Sequence, residues 1–270
     1  MATKGRHQKS AVVDGRATSS RATSSSLLEN LERLATGHAR ALTWAVGLFP
    51  LAFVLVMILG KLLAPVAYSA LIVEDGAVEY GTFFVYLIAA GFVARLALDL
   101  GRQAKKFYAF MYWVLSAGLF FIAMEEISWG QRTIGIKTPE FLEDINRQSE
   151  MTFHNIEGFP LHLLYVLVGA YGAFARVIVP GVIKRRYPVM IDLLTVPRFM
   201  FLYFFLPFLL YSYYEYLDYS YRSPLGLEWS EVFTEASFVD GHDQEPIELL
   251  LSFGFLLFVL RNWHRYRQVA

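Results

Sequence analysis

Apolar residues along this chain come in blocks of about membrane length rather than at the spacing of amphipathic soluble helices. A transmembrane helix needs about 20 mostly apolar residues, and six segments reach or approach that length. They are residues 41–60, 80–98, 107–124, 159–179, 199–216 and 247–263. The polar chain between them is too short to cover six such segments in water. The pattern therefore predicts an all-α fold, a polytopic transmembrane helical bundle of about six spans within residues 41–263.

The N-terminal part of the chain differs from this bundle. Residues 1–25 are rich in Ser, Thr, Ala and Arg, which cannot build a core, and they are predicted to be a disordered cytoplasmic arm. In residues 26–40, Ser26 and Glu29 have capping-box spacing, and a run of leucines follows on one helical face. We expect this segment to be an amphipathic helix lying along the membrane surface. Residues 264–270 are predicted to form a short cytoplasmic tail.

Composition supports this class of protein and excludes others. With 56% hydrophobic residues and a mean hydropathy of +0.40, the chain is too apolar for a soluble domain of 270 residues. It contains no cysteine, which excludes thiolate ligands and thiol nucleophiles. Its sequence also lacks the glycine-rich phosphate loop and the short motifs of zinc proteases and serine hydrolases.

Charge alternates along the chain although the total is zero, with 24 basic and 24 acidic residues. The N-terminal part, the connections after the second and fourth spans, and the tail are basic, whereas the other three connections are acidic. The positive-inside rule therefore predicts that both termini are cytoplasmic and that the acidic connections are extracytoplasmic. The basic flanks predict contact with anionic lipids at the cytoplasmic face, and they give no support to nucleic-acid binding.

One segment concentrates polar groups beside an apolar span. Residues 120–155 begin at the end of the third span, where two adjacent carboxylates follow, Glu125 and Glu126. Such groups are costly at the edge of a bilayer unless they are paired or used. The segment then adds Trp129, Gln131, Arg132, Asn146, Gln148, Glu150, His154 and Asn155. We expect a polar site here. Its binding residues are predicted to include Glu125, Gln131, Asn146, Gln148 and Asn155.

Local spacing predicts how part of this segment folds. Residues 138–140 have the form of a helix start, with an N-cap, a proline at the first helical position and an acid in the first turn. A short extracytoplasmic helix is therefore expected after the third span. If it runs over residues 139–154, it places Asn146, Glu150 and His154 on a single stripe, because residues four apart share a helical face.

This stripe has the chemistry of a metal site. A carboxylate and an imidazole four residues apart can bind a divalent cation, or act as a general base with its orienting partner. Glu150 and His154 are the expected ligands, with Glu126 as a third ligand or as the general base. Arg132 is expected to anchor an anionic substrate or to neutralise the carboxylates, which completes the expected catalytic set. The alternative is that these groups satisfy one another and cap loops.

Acidic residues in the other outer connections extend the predicted site. Glu79 and Glu248 lie near the starts of the second and sixth spans. Acids there favour the helix dipole, which accounts for them without any site, but both are also candidates for binding. If the spans form a compact bundle, Glu79, Glu126, His154 and Glu248 should surround one cavity.

Two strings in this segment resemble those of a group of bacterial multi-pass membrane proteins of no established activity. The first is Glu-Glu-Ile-Ser-Trp-Gly-Gln-Arg, residues 125–132. The second is Asn146-x-Gln148-x-Glu150, followed by His154 and Asn155. The resemblance covers residues 125–155 and implies a multi-pass protein of a bacterial inner membrane.

Together, these patterns predict an integral membrane protein with an extracytoplasmic site of carboxylates and histidine. The leading interpretation is a metal-dependent hydrolase or transferase that acts on a lipid or another envelope substrate, with a divalent cation as cofactor. The alternatives are a transporter or channel with an acidic outer vestibule, and a non-catalytic subunit of a membrane assembly. Few ionisable residues lie in mid-span, which disfavours transport.

Overall fold

The computed structural model describes residues 40–73, 76–131, 135–146, 149–156, 158–222 and 241–266. The predicted arm, the interfacial helix up to residue 39, and residues 267–270 lie outside these ranges, so the predictions for them are not tested. The chain divides into two compact units, residues 1–45 and residues 46–270. The described part of the first unit is the beginning of one helix, and the contacts discussed below all belong to the second unit.

The described residues are mostly helical, and they contain no β-strand. The α-helices are α1 Arg40–Leu63, α2 Pro65–Ile72, α3 Ala77–Arg102, α4 Lys106–Glu126, α5 Glu140–Glu143, α6 Leu161–Ile178, α7 Gly181–Arg186, α8 Pro188–Leu194, α9 Phe201–Arg222 and α10 Gln244–Tyr266. Six stretches are long and apolar enough to cross a membrane, namely α1, α3, α4, α6, the run Pro188–Glu215, and α10. The prediction of an all-α bundle with six spans is confirmed.

Helix α3 is the centre of the core. It packs against α4 and against α10, and its buried residues recur every three or four positions, as expected for one face of a helix. These residues include Tyr86, Ala89, Ala90, Val93, Leu96, Ala97 and Leu100. Helix α9 packs against α10 and, more extensively, against α6. Four helices, α3, α4, α6 and α10, consequently come together around one end of the bundle, where α4 ends and the other three begin.

A cluster of basic groups surrounds one carboxylate at the other end of α6 and α10. Asp192 of α8 is buried, and its carboxylate lies 2.9 Å from Arg176, 3.6 Å from Arg261 and 2.7 Å from Arg265. The bundle therefore has a basic end, at the carboxyl termini of α6 and α10, and an acidic end, at their amino termini. This segregation agrees with the alternating charge of the connections. The side of the membrane that each end faces stays a prediction.

The helix expected over residues 139–154 is wrong in length. The short helix after the third span exists, but it is α5, which ends at Glu143. Beyond it, the side-chain amide of Asn146 donates a 2.7 Å hydrogen bond to the carbonyl of Thr152 and accepts one from the backbone N–H of Glu150. Ser149 has a positive φ of 55°. Short polar side chains that bond to nearby backbone compete with the helix in this way, so Asn146, Glu150 and His154 do not form a helical stripe.

Candidate functional site

A cavity of about 340 Å³ lies at the acidic end of the bundle. Helices α3, α4, α6 and α10 and the residues before α6 form its walls. It reaches from Gln244 to Phe255 along α10, a rise of about 16 Å at 1.5 Å per residue. Because the hydrocarbon core of a bilayer is about 30 Å thick, the cavity extends from one end of the bundle to about half that depth.

Three carboxylates converge in the upper part of this cavity. Glu126 is the last residue of α4, whereas Glu245 and Glu248 lie three residues apart on one face of α10. Each residue offers one carboxylate oxygen, and these oxygens all lie within 4.8 Å of one another. Glu248 is buried, and the other two are mostly buried. An all-oxygen group of this kind suits hard divalent cations such as Mg²⁺, Mn²⁺ and Ca²⁺.

The described surroundings of Glu248 and Glu126 differ. The hydroxyl of Tyr211 donates a hydrogen bond to Glu248, and His154 lines the same cavity. Among the described residues, no side chain donates a hydrogen bond to the carboxylate of Glu126. Like charges held this close disfavour full ionisation. The group is therefore arranged to share protons or to hold a cation.

Tyr86 supplies a second, independent feature of the cavity. Its side chain lines the wall contributed by α3 and is 0% exposed. Its hydroxyl has no hydrogen-bond partner in the described part of the chain. Burying a hydroxyl without a partner costs free energy, so such groups usually have one. A ligand in the cavity that accepts or donates a hydrogen bond there would remove this cost.

Glu125 has a different role from its neighbour Glu126. Its carboxylate accepts hydrogen bonds from the indole N–H of Trp129 at 2.6 Å and from the backbone N–H groups of Phe153 and His154 at 2.6 and 3.0 Å. Its Oε2 also lies 3.3 Å from Nδ1 of His154. Glu125 therefore ties the end of α4 to the segment before α6, and it holds the imidazole of His154 at the cavity wall.

The motif after Glu126 folds as a sharp turn. Ser128, Trp129 and Gly130 have φ values of 48°, 54° and 75°, a left-handed conformation that costs energy for the two residues that are not glycine. The hydroxyl of Ser128 donates a 2.6 Å hydrogen bond to Glu150, and the Trp129 indole bonds to Glu125. These two carboxylates offset the strain of the turn.

The structure brings together some of the residues expected at the site. Glu79, Glu125, Glu126, His154 and Glu248 all line the cavity. The expectation that the acidic connections meet over one cavity, made for Glu79, Glu126, His154 and Glu248, therefore agrees with the structure.

Other expected residues are placed elsewhere. Glu150 bonds to Ser128 and does not line the cavity. Gln131 bonds to Thr138 and to the backbone N–H of Met151. Asn146 is buried in its own turn, and Asn155 also lies outside the cavity lining. Arg132 and Gln148 lie outside the described residues.

The expected ligand set of Glu126, Glu150 and His154 is consequently not the one that the structure assembles. Among the described residues, the group close enough to share one ion consists of Glu126, Glu245 and Glu248. The expected site did not include Glu245 or Tyr86. Two spacings in the sequence could have indicated that these residues share a site. Glu245 and Glu248 lie three residues apart at the start of a span, and Glu79 and Tyr86 lie two turns apart on one face of α3.

Replacing Tyr86 with phenylalanine tests whether its hydroxyl is an unsatisfied group. We expect the thermal midpoint of the cation-free protein to stay the same or rise, because the substitution removes a buried hydroxyl whose desolvation costs about 1–3 kcal/mol. The matched control is Tyr112→Phe. The hydroxyl of Tyr112 donates to the carbonyl of Leu193 and accepts from Asn262, so this control should lower the midpoint. Equal losses in both variants would show that Tyr86 has a partner.

Comparison with known proteins adds no assignment. No protein-family model matches the chain, and neither a curated protein nor a solved structure matches it.

Proposed function

We propose that this chain is a membrane enzyme, a hydrolase or transferase, that depends on a divalent cation held by Glu126, Glu245 and Glu248. One observation carries the proposal: three carboxylate oxygens lie within 4.8 Å of one another in a cavity that is also lined by Tyr86, whose hydroxyl has no hydrogen-bond partner in the described part of the chain. A bound cation would neutralise the repulsion among the carboxylates. It would also lower the pKa of a bound water toward neutrality, which is how such ions generate a nucleophile.

Two further lining residues can move protons at this site. The imidazole of His154 is oriented by the contact of its Nδ1 with Glu125, which leaves Nε2 as the nitrogen that can exchange a proton. Glu79 lines the cavity from the first turn of α3. We assign His154 or Glu79 as the general base and retain Glu126 as a ligand.

The interior below the cavity supports an enzyme better than a channel. Val93 and Leu96 of α3, which follow the cavity-lining Tyr86 along the helix, are fully buried in the apolar core. An apolar interior beyond the cavity fits a binding or catalytic site. The basic cluster around Asp192 lies at the other end of α6 and α10, and this supports a cavity that opens on the outer face of a bacterial inner membrane.

Cation binding is tested by thermal unfolding of detergent-purified protein after removal of metals by a chelator. We expect Mg²⁺, Mn²⁺ or Ca²⁺ to raise the thermal midpoint in a concentration-dependent manner, because a ligand that binds only the folded state stabilises it by about 2.7 kcal/mol at a hundred times its Kd. Glu150→Gln should show the same rise, since Glu150 lies outside the cavity lining. A wild-type midpoint that no divalent cation changes would contradict the proposal.

A further inference from the structure

The carboxylate of Asp192 is held in a fixed position at the basic end of the bundle. The side-chain amide of Asn262 in α10 donates a 2.9 Å hydrogen bond to the hydroxyl of Tyr112 in α4, and this hydroxyl donates a 2.8 Å hydrogen bond to the backbone carbonyl of Leu193. All three residues are buried, and a satisfied buried network of this kind makes its surroundings rigid. Asp192 precedes Leu193 in α8 and is therefore fixed relative to α4 and α10.

Three guanidinium groups, those of Arg176, Arg261 and Arg265, meet at this carboxylate and form the arginine cluster. Arg176 also reaches the hydroxyl of Thr195 at 3.4 Å, and Arg261 donates a 2.9 Å hydrogen bond to the side-chain oxygen of Asn262. Arg265 contacts the carboxylate through Nη1 at 2.7 Å, and its side chain is 53% exposed. Because a guanidinium carries five N–H donors in a planar fork, Arg265 has donors left for a ligand on its exposed side.

The arginine cluster carries more positive charge than Asp192 offsets. One carboxylate neutralises one of the three guanidinium groups, and among the described residues no second carboxylate lies within ion-pair distance of any of them. Asp99, a buried aspartate near the end of α3, pairs with Arg95 and Arg102 instead. Like charges gathered beside a medium of low dielectric constant repel strongly, so an anion bound to the cluster would stabilise it.

The arginine cluster lies where two spans end. Helix α6 ends at Ile178, shortly after Arg176, and α10 ends at Tyr266, directly after Arg265. Val177 and Ile178 are 55% and 76% exposed, and for a helix that spans a membrane such exposed apolar side chains face lipid. The exposed edge of the cluster therefore lies at the level of the lipid head groups. Basic pockets between the ends of membrane helices bind anionic head groups.

We propose that the arginine cluster is a binding site for the phosphate of an anionic phospholipid, taken from the leaflet at the basic end of the bundle, with Arg265 as its main contact. Guanidinium groups form charge-assisted hydrogen bonds with phosphate, often two in parallel, and Asp192 holds the three groups together from the buried side. A zwitterionic phospholipid fits less well, because its ammonium group would lie beside like charges. This site is separate from the carboxylates at the acidic end and does not depend on the proposed cation.

The experiment compares Arg265→Gln with Arg185→Gln in full-length protein. Each substitution removes one positive charge. Arg185 is exposed on α7, which contacts α8, and it is not part of the arginine cluster, so it is the matched control. Each protein is purified with a chelator present, which keeps the proposed cation site empty, and is exchanged into an equal mixture of phosphatidylethanolamine and phosphatidylglycerol. Retained lipid is counted by native mass spectrometry, and the thermal midpoint is measured with added phosphatidylglycerol or with added inorganic phosphate.

We expect wild type and Arg185→Gln to retain phosphatidylglycerol in preference to phosphatidylethanolamine, and to be stabilised more by phosphatidylglycerol than by inorganic phosphate. Arg265→Gln should retain phosphatidylglycerol about tenfold less, because it loses charge-assisted hydrogen bonds to the phosphate. If Arg265→Gln does not fold, Arg265→Lys replaces it. This variant keeps the charge and should still bind less phosphatidylglycerol than wild type, because lysine lacks the planar fork.

Three results would overturn the inference. Equal losses in Arg265→Gln and Arg185→Gln would show a diffuse attraction between basic groups and lipid instead of a defined site. Equal retention of the two phospholipids by wild type would show that the cluster does not select an anionic head group. A rise in midpoint as large with inorganic phosphate as with phosphatidylglycerol would show that the cluster binds free phosphate and not a lipid.

Discussion

Glu248→Gln is expected to abolish the rise in thermal midpoint that divalent cations give the wild-type protein. Glutamine keeps the size of the side chain and still offers an oxygen to the hydroxyl of Tyr211, but it removes the charge that a hard cation requires. The affinity for Mn²⁺ should fall by more than the about 10–100-fold that results from loss of a group supporting a ligand. Titration calorimetry with Mn²⁺ measures this loss directly.

The same variant separates a cation site from a structural network by the sign of its effect on the cation-free protein. If the three carboxylates only repel one another, removing one charge relieves repulsion, and the thermal midpoint rises. If Glu248 were instead satisfied by a structural network, the substitution would lower the midpoint. Glu143→Gln, on the exposed helix α5, is the neutral control. A lower midpoint together with unchanged Mn²⁺ affinity would contradict the cation site.

Double variants test whether the three carboxylates act as one unit. Glu126→Gln and Glu245→Gln should each cause a loss of Mn²⁺ affinity similar to that of Glu248→Gln, and a double variant should lose little more. Residues that act as one unit are not additive in this way. Additive losses would indicate three separate contributions to stability.

The six spans were predictable because the information for them is local. Apolar blocks predict helices of membrane length, and the structure extends several of those blocks at their polar ends, whereas α6, Leu161–Ile178, is shorter than the predicted segment 159–179. The predicted segment 107–124 is part of α4, Lys106–Glu126, and the predicted segment 80–98 is part of α3, Ala77–Arg102. The extension has a consequence for the site. Glu126 is held by the last turn of a rigid helix rather than by a loop.

The roles of Glu125 and Glu126 could not be separated from the sequence. Consecutive residues on a helix point about 100° apart, so one carboxylate can face the segment before α6 while the other faces α10. Which neighbour lies in each direction depends on how the helices pack, and the sequence pattern does not predict that packing. Glu245 was left out of the expected site for the same reason, because Glu126, which lies close to it in the structure, is far away along the chain.

The prediction for the segment after α5 was wrong for a local reason: hydrogen bonds between side chains and nearby backbone prevent the helix that the residue spacing predicts. The helix start at residues 138–140 was recognised, and α5 follows it. The spacing of Asn146, Glu150 and His154 then suggested a continued helix. Asn146 instead bonds to Thr152 and to the backbone of Glu150, and Ser149 adopts a left-handed conformation. Periodicity alone does not include this competition between side chain and backbone.

Gly169→Leu is expected to prevent the bundle from folding, with a loss of at least about 3 kcal/mol in the free energy of unfolding. A Cβ atom at Gly169 would lie 2.8 Å from the backbone nitrogen of Phe208 and 2.9 Å from the carbonyl oxygen of Phe204. Backbone atoms inside α9 cannot move aside without displacing the helix. Gly172, one turn further along α6, would bring a Cβ atom to 2.3 Å from Cγ of Phe204. Small residues on this face let α6 and α9 approach closely, as in other membrane helix pairs.

The yield of monodisperse protein and its thermal midpoint measure this effect, with Gly91→Leu as control. Leucine at Gly91 meets no atom near its Cβ and replaces a weak helix former, so the control should fold as well as wild type or better. The result bears on the site because α6 carries Leu164 and Val168 of the cavity wall, and α9 carries Tyr211, which bonds to Glu248. A Gly169→Leu protein with a normal midpoint and normal Mn²⁺ affinity would show that close packing of α6 on α9 does not position the carboxylates.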